Sequence, residues 1–548
     1  MVKGLLEDTL TEVLTSLGAE NTAGSIEFSD DSTHGDYATG IALSISKKLD
    51  KNPKELAEEV KQKLIEKNLP FIFKIEVAGP GFINFFLKRN VFSENLGTIN
   101  ADYGKNSILF GKKTIVEYTD PNPFKEFHIG HLMSNAVGES ISRLVEFSGA
   151  KTKHACYQGD IGLHVACALW GALNGETDWG KAYAKGATTL KENEVIKQEI
   201  IEINKKVYEK SDTAINKLYE KGKKKSLEKF EKMYQKLGTK FDEYFFESET
   251  GEFGKKVVLE NLEKRVFEKG NGGAVVYKGE KFGLHTRVFI NSQGLPTYEA
   301  KELGLAKIKY DKFPYDLSIV VTGNEIDAYF KVLLSAMKEI FSELAEKTLH
   351  ISHGMLRLPS GKMSSRTGDV VTAEGLLAQI SEKLLEKIPA ENTQLLNDVS
   401  VAAIKYSVLK QEIGKDIIFD FDKSISFSGD SGPYLQYTHA RCVSLLEKGK
   451  AKNIEISKEN PIKETLPIER LLMQFPEVVE RAVREYRPHH VATYLHNLAS
   501  IFNTFYNDVP IVKAGDPSSA YKLFVVNALR QTLANGLYLL GIKAPEKM

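Results

Sequence analysis

Apolar residues recur along the chain at two spacings, helical and alternating, and the change from one to the other marks out its elements. Leu5, Leu6, Leu10, Val13, Leu14 and Leu17 share one stripe, which predicts an opening amphipathic helix. A helical stretch over 38–49 follows. The next helix is predicted from Asn52-Pro53 to about Lys67, with Asn capping free N–H groups and Pro pre-setting the first turn. Phe73 to Ala78 and Gly81 to Leu87 read as strands around a Gly-Pro-Gly turn. These elements make a small separate α/β module, with Phe82, Asn84 and Phe86 expected in its core and turn.

From Gly111 strands and helices alternate, the pattern of a mostly parallel sheet whose ligands lie at the carboxyl ends of its strands. Thr114 to Tyr118 is a strand, and Leu132, Ala136, Val137, Ile141, Leu144 and Val145 line a helix. Lys153 to Tyr157 is the next strand, and Gly159 and Gly162 allow a tight turn into a helix over 163–169, which Asp160 is expected to cap. A Lys- and Glu-rich helical insertion then interrupts the sheet at about 175–270, and its Lys221 to Lys225 run reads first as a solvated face, with a place near the acceptor arm of an RNA as the second reading. The sheet is predicted to resume with 273–277, 286–290 and 316–321, with a helix opening near Thr297. Past residue 375 the pattern is almost wholly helical, apart from a short extended piece at 416–421. The fold class is α/β, with domains expected at 1–105, 106–429 and 430–548; the last is an all-helical bundle.

Composition narrows the function without choosing it. An apolar content of 42% with 27% charged residues is ordinary for a soluble globular protein, and no apolar run approaches membrane-spanning length. Glu7, Asp8 and Glu12 speak against reading the first helix as a leader. The 73 basic and 73 acidic residues cancel, so a nucleic-acid surface has to be a local patch. Cys156, Cys167 and Cys442 are scattered, which gives neither a zinc spacing nor a disulfide framework and suits a reducing cytoplasm.

Two stretches carry the chemistry. In Tyr118-Thr-Asp-Pro-Asn-Pro-Phe-Lys-Glu-Phe-His128-Ile-Gly-His131 a strand passes through a Pro-rich turn into a helix. A helix N-terminus presents free N–H groups and partial positive charge, and His128 and His131 flank it as further donors, so an anion such as a phosphate fits there. The second stretch is Arg357-Leu-Pro-Ser-Gly-Lys-Met-Ser-Ser-Arg-Thr-Gly368. Its glycines and its Lys362, Ser364, Ser365 and Arg366 donors suit a loop that neutralises charge on a leaving group.

The first stretch resembles the HIGH motif of class I aminoacyl-tRNA synthetases in the form typical of arginyl-tRNA synthetases, and the second resembles their KMSKS loop, with Ser365 where Lys is usual. Val77 to Phe86 with His34 to Ala38 resembles the arginyl family's N-terminal domain, which contacts the tRNA elbow. The segments at 432–442, 502–507, 536–541 and 544–548 resemble its anticodon-binding bundle. The resemblance implies a Rossmann-like catalytic core over 106–429, with a stem-contact region at about 375–429. It also implies ATP-dependent ligation of L-arginine to tRNA(Arg) through arginyl-adenylate, with AMP and pyrophosphate released. His128, His131, Lys362 and Arg366 are then expected to be catalytic. Pro121, Pro123, Gly130, Gly159, Asp160, Met363, Ser364 and Ser365 are expected against ATP. Arginine is expected against Glu117, Asp120, Asn122, His131, Tyr298, Glu302 and Glu325, because a planar guanidinium requires carboxylate partners. Glu302 stands where the family carries Asp. Mg²⁺ comes with ATP, no zinc is expected, and the expected enzyme is cytoplasmic and monomeric. The rival readings are a cysteine-type class I synthetase and a non-catalytic tRNA-binding relative.

Overall fold

The computed structural model describes residues 2–29, 31–357 and 372–548. The first elements are α1 (Val2–Ser16), β1 (Glu27–Phe28), β2 (Tyr37–Thr39), α2 (Ile41–Ile45), α3 (Pro53–Glu66), β3 (Ile72–Ala78), β4 (Phe82–Leu87) and α4 (Arg89–Leu96). Asn52 caps α3, accepting from the N–H of Lys54 at 2.9 Å and of Glu55 at 3.4 Å. The four strands form an antiparallel sheet in the order β1-β2-β4-β3. Strand alternation puts Ile83, Phe85 and Leu87 in one core with Leu6, Leu10 and Leu14 of α1 and Leu56, Val60 and Leu64 of α3. The same alternation corrects the expectation for Phe82, which lies on the opposite face and is 44% exposed. The helix expected over 38–49 contracts to α2, because Tyr37–Thr39 pairs with β4 as a strand. Met473 enters this core, Arg470 pairs with Asp36, and Arg89 pairs with Glu469 at 2.9 Å. Residues 1–103 form one compact unit with 442–475 and 501–532.

The second unit comprises 104–441, 476–500 and 533–548. It opens with β5 (Lys113–Glu117), α5 (Ile129–Phe147), β6 (Lys151–Gln158) and α6 (Leu163–Leu173). The insertion follows as α7 (Trp179–Glu192), α8 (Glu194–Glu209) and α9 (Thr213–Leu237). Its charged exterior covers an apolar side on which Ile200, Ile203, Val207 and Ile215 pack with Val165 and Leu169 of α6 and with Phe124. Next come β7 (Glu243–Phe246), α10 (Glu247–Glu260), β8 (Glu268–Lys269), β9 (Val275–Tyr277), β10 (Arg287–Ile290), α11 (Tyr298–Lys312), β11 (Leu317–Gly323), α12 (Asp327–Ile340), α13 (Ser342–Glu346), β12 (Thr348–His353) and β13 (Leu356–Arg357). The remainder is α14 (Ala373–Leu384), α15 (Thr393–Leu409), β14 (Ile417–Ile418), α16 (Phe421–Ser424), α17 (Gly432–Ala451), α18 (Pro467–Glu485), α19 (His489–Asp508) and α20 (Ser519–Leu539).

The central sheet has the order β12-β11-β5-β6-β7 with every neighbour parallel. Two expectations are corrected here. The sheet already takes up β7 inside the span assigned to the insertion, and β9 and β10 leave it to form a separate antiparallel sheet with β8. The chain winds outward from β5 in one direction through β6 and β7 and in the other through β11 and β12. The crevice at the carboxyl ends of β5 and β11 is therefore the topological switch point, where ligands of such sheets bind.

Asn52→Ala should lower the stability of the first unit by about 1 kcal/mol. That reads as a lower midpoint of urea unfolding at unchanged slope. An unchanged midpoint contradicts the cap assignment.

Candidate active site

The loop from β5 to α5 is strained and held. Thr119, Asp120 and Phe124 have φ of 81°, 45° and 69°, the left-handed region that costs a residue with a side chain roughly 1 kcal/mol or more. Each is fixed by a partner from elsewhere in the fold. The Thr119 N–H donates to Ser134 Oγ on α5 at 2.9 Å, and Asp120 Oδ1 accepts from the Tyr157 N–H of β6 at 2.7 Å. The Phe124 N–H donates to Ser226 Oγ on α9 at 2.9 Å, and its buried ring meets Trp179 and Tyr219.

His128 is the N-cap of α5. Its Nδ1 accepts from the Gly130 N–H at 3.1 Å, and His131 Nδ1 accepts from the His128 N–H at 3.2 Å. The rings stack with centroids 3.6 Å apart. Because both Nδ1 atoms accept, each neutral ring carries its proton on Nε2, and the pair presents two N–H donors side by side. Burial first, and then the nearby Lys125 charge, lowers the His128 pKa to about 4. Burial, His128 and Lys125 hold His131 well below the usual histidine range. At neutral pH both are donors without charge. A Cβ on Gly130 would lie 2.9 Å from the His128 ring, so glycine is what lets the imidazole fold over the first turn.

A cavity of about 430 Å³ opens at the switch point. Thr119, Asp120, Asn122, His128, Gly130, His131 and Ser134 form one side; Thr322, Gly323 and Glu325 after β11 and His353 to Arg357 after β12 form the other. It thus gathers six of the sequence-predicted residues, Asp120, Asn122, His128, Gly130, His131 and Glu325. Gly159 also belongs to this neighbourhood. A Cβ there would fall 2.1 Å from Asn122 Oδ1, so the amide lies directly on bare backbone. Pro121 and Pro123 are buried within the loop.

The carboxylates divide into paired and unpaired. Glu117, 2% exposed, binds Lys309 Nζ at 2.6 Å, and against the cost of burial that carboxylate keeps the Lys309 pKa raised. Glu117 therefore does not line the cavity with an open charge, as expected of it, but sits neutralised behind it. Lys309 escaped the sequence reading, although it lies seven residues beyond Glu302 on the same side of α11. Asp120 and Glu302 have no ion pair among the described residues: burial first and then the Glu117 charge push both carboxyls well above the usual range, against the weaker pull of Lys309. Glu302 makes no hydrogen bond or ion pair with the described residues. Tyr298, at the start of α11, is 55% exposed and lies outside the cavity wall.

Asp160 is a further correction. The N-cap of α6 is Gly162, without a side-chain bond, so Asp160 does not cap it. Fully buried, its carboxylate instead accepts from Tyr219 Oη at 2.9 Å, Lys223 Nζ at 2.7 Å, and Ser248 N and Oγ at 2.9 and 2.6 Å. Both oxygens are consumed inside the fold, and the Lys221 to Lys225 run is accordingly not all solvated. Lys362, Met363, Ser364, Ser365 and Arg366 lie outside the described residues.

Comparison with known proteins agrees across the whole chain. Residues 99–421 match the family model for the catalytic domain of tRNA synthetases class I (R), 2–87 the arginyl tRNA synthetase N terminal domain, and 435–548 the DALR anticodon binding domain. The arginine–tRNA ligase of Fusobacterium nucleatum is 31% identical over 544 residues, covering 94% of this chain and 93% of that one. The one from Borreliella burgdorferi is 30% identical over 590 residues, covering 100% and 99%. Among solved structures, Thermus thermophilus arginyl-tRNA synthetase has the same fold at a TM-score of 0.77 and 24% identity, covering 100% of both chains. The Plasmodium falciparum arginyl-tRNA synthetase has it at 0.78 and 20%, covering 100% of this chain and 99% of that one.

The imidazole geometry is open to direct measurement. ¹⁵N–¹H spectra of the protein should show His128 and His131 as neutral Nε2–H tautomers throughout the neutral range, with His128 taking up its second proton only near pH 4. Titration of either ring near the ordinary value of about 6.5 contradicts the capping arrangement.

Proposed function

The chain belongs to the arginyl-tRNA synthetases of class I and charges tRNA with arginine, and we propose that the cavity at the ends of β5, β11 and β12 is where ATP and arginine meet. One observation carries this: two uncharged N–H donors at a helix N-terminus stand on the same loop as Asp120, whose carboxyl, like that of Glu302 on α11, has no ion pair among the described residues. The first suits a triphosphate and the second a guanidinium.

In the proposed reaction an oxygen of the arginine carboxylate attacks the α-phosphorus of ATP, and the bond to the bridging oxygen breaks to free pyrophosphate. A hydroxyl of the terminal ribose of tRNA(Arg) then attacks the arginyl carbonyl, and AMP leaves. Such transfers ask a protein mainly for positioning and charge stabilisation. The Nε2–H groups of His128 and His131 stabilise charge gathering on the phosphates, at no cost in like-charge repulsion between the two rings. Gly130, Pro121, Pro123 and Gly159 shape the ATP side. Asn122, held on Gly159, and Asp120 and Glu325 in the cavity wall take the amino-acid end of arginine, while Glu302, backed by the Glu117–Lys309 pair, takes its guanidinium. Tyr298 flanks that pocket from the first turn of α11. Lys362 and Arg366, with Met363, Ser364 and Ser365, keep their proposed role at the leaving pyrophosphate on the sequence pattern. Mg²⁺ is assigned to the triphosphate of ATP. For the tRNA we assign the elbow to 1–105, the acceptor stem to the insertion at about 175–270 and to about 375–429, and the anticodon to 430–548. A cytoplasmic monomer completes the proposal.

ATP–pyrophosphate exchange tests it: arginine with tRNA(Arg) present should support exchange. Support by cysteine instead, or no exchange at all, contradicts the reading.

The raised carboxyls add a dependence on pH. In the free protein Asp120 and Glu302 retain protons above the ordinary carboxylate range of about 4, and the ammonium and guanidinium ends of arginine select their ionised forms. Arginine binding should therefore expel protons, and affinity should rise with pH through their raised pKa values and fall as the solution is acidified. Calorimetry in two buffers of different ionisation enthalpy reads the proton count directly. Identical heats in both buffers contradict the uncompensated-carboxylate arrangement.

A further inference from the structure

Tyr329 stands in the first turn of α12, just beyond the cavity-lining segment that follows β11. It is 9% exposed, with its ring edge-on to Phe330 at 5.4 Å and the Arg287 guanidinium 5.8 Å from the ring centroid. Arg287 does not reach the hydroxyl's task, since it pairs with Glu299 at 3.5 Å. The hydroxyl itself is buried and has no hydrogen-bond partner among the described residues. Such groups are uncommon in folded proteins and ask for an explanation. Burial first, and then the charge of Glu302 ahead of those of Glu299 and Glu247, keeps the phenol protonated. Its strongest electrostatic neighbour is thus the carboxylate that also lacks a partner. The two groups act on one another with no bond between them, and Tyr329 lies one helical turn beyond Ile326 of the cavity wall.

We infer that the Tyr329 hydroxyl oxygen is the second acceptor of the arginine pocket, taking a guanidinium N–H that the Glu302 carboxylate leaves over. The inference rests on the arginine reading above and adds to it a residue that sequence reasoning passed over. A guanidinium carries five N–H donors in a fixed planar fork, so it can serve a carboxylate with one edge and a phenol with another. A lysine ammonium is a compact point donor and cannot span both. The hydroxyl therefore contributes selectivity as well as affinity.

The test is Tyr329→Phe, which removes one oxygen and keeps the ring. Exchange measured with tRNA(Arg) should show the KM for arginine raised roughly ten- to hundredfold, the loss typical of a hydrogen bond to a charged group. The KM for ATP should stay unchanged, and so should the unfolding midpoint or rise, because the deleted hydroxyl has no protein partner. An arginine KM within about twofold of the parent overturns the inference, given what such bonds contribute. So does a lowered midpoint accompanied by a shifted ATP KM, which is the signature of a packing role. If the parent enzyme shows no arginine-dependent exchange, the reading of the whole site fails. If the parent exchanges and the variant matches it, only the role of Tyr329 fails.

Discussion

The site depends on the chain leaving β5 through a left-handed turn at Thr119 and Asp120. A residue with a side chain adopts that backbone only where surroundings compel it, and here the compulsion comes from Ser134 on α5 and the Tyr157 N–H on β6. The turn has three consequences. It aims the Asp120 carboxyl into the crevice, it lays Asn122 on the bare backbone of Gly159, and it delivers His128 to the start of α5 in position to cap it. The strain is thus spent on preorganisation: the groups that meet substrate are fixed by the sheet before any substrate arrives.

Charge at the site is managed by subtraction. The imidazoles are kept neutral, so the nucleotide end relies on N–H dipoles and a helix terminus. Glu117 is cancelled by Lys309, Glu247 by Lys301 at 2.6 Å, and Asp160 by Lys223 together with three further donors. After these pairings Asp120 and Glu302 are left without an ion pair among the described residues, and burial with the Glu117 charge holds their protons on. A cation entering there repays the cost of keeping carboxylates out of water, which is a physical basis for preferring a guanidinium over a neutral side chain.

Sequence reasoning reached what is local. The cap and stacked pair at His128 and His131 follow from a strand, a turn and a helix written in fourteen consecutive residues, and the Asn52 cap from two. What it missed depends on partners far apart in the chain. Lys223 reaches Asp160 across 63 positions, and Lys309 reaches Glu117 across 192. No periodicity announces either meeting, so Asp160 read as a cap and Glu117 as an open ligand. Strand β7 was hidden because its four residues sit between long charged helices, and β9 and β10 look like central strands until their antiparallel pairing is known. Tyr329 carried no signal, since one tyrosine on an apolar helix face reads as core.

The most direct test of the account is a structure of the protein with a non-hydrolysable arginyl-adenylate analogue bound. The guanidinium should lie against Glu302 with Glu117 still on Lys309, and the Nε2 atoms of His128 and His131 should turn to the phosphate-like group, in hydrogen-bond reach of where pyrophosphate departs. A guanidinium lodged elsewhere, or imidazoles that abandon the α5 cap to bind the analogue through Nδ1, would contradict it.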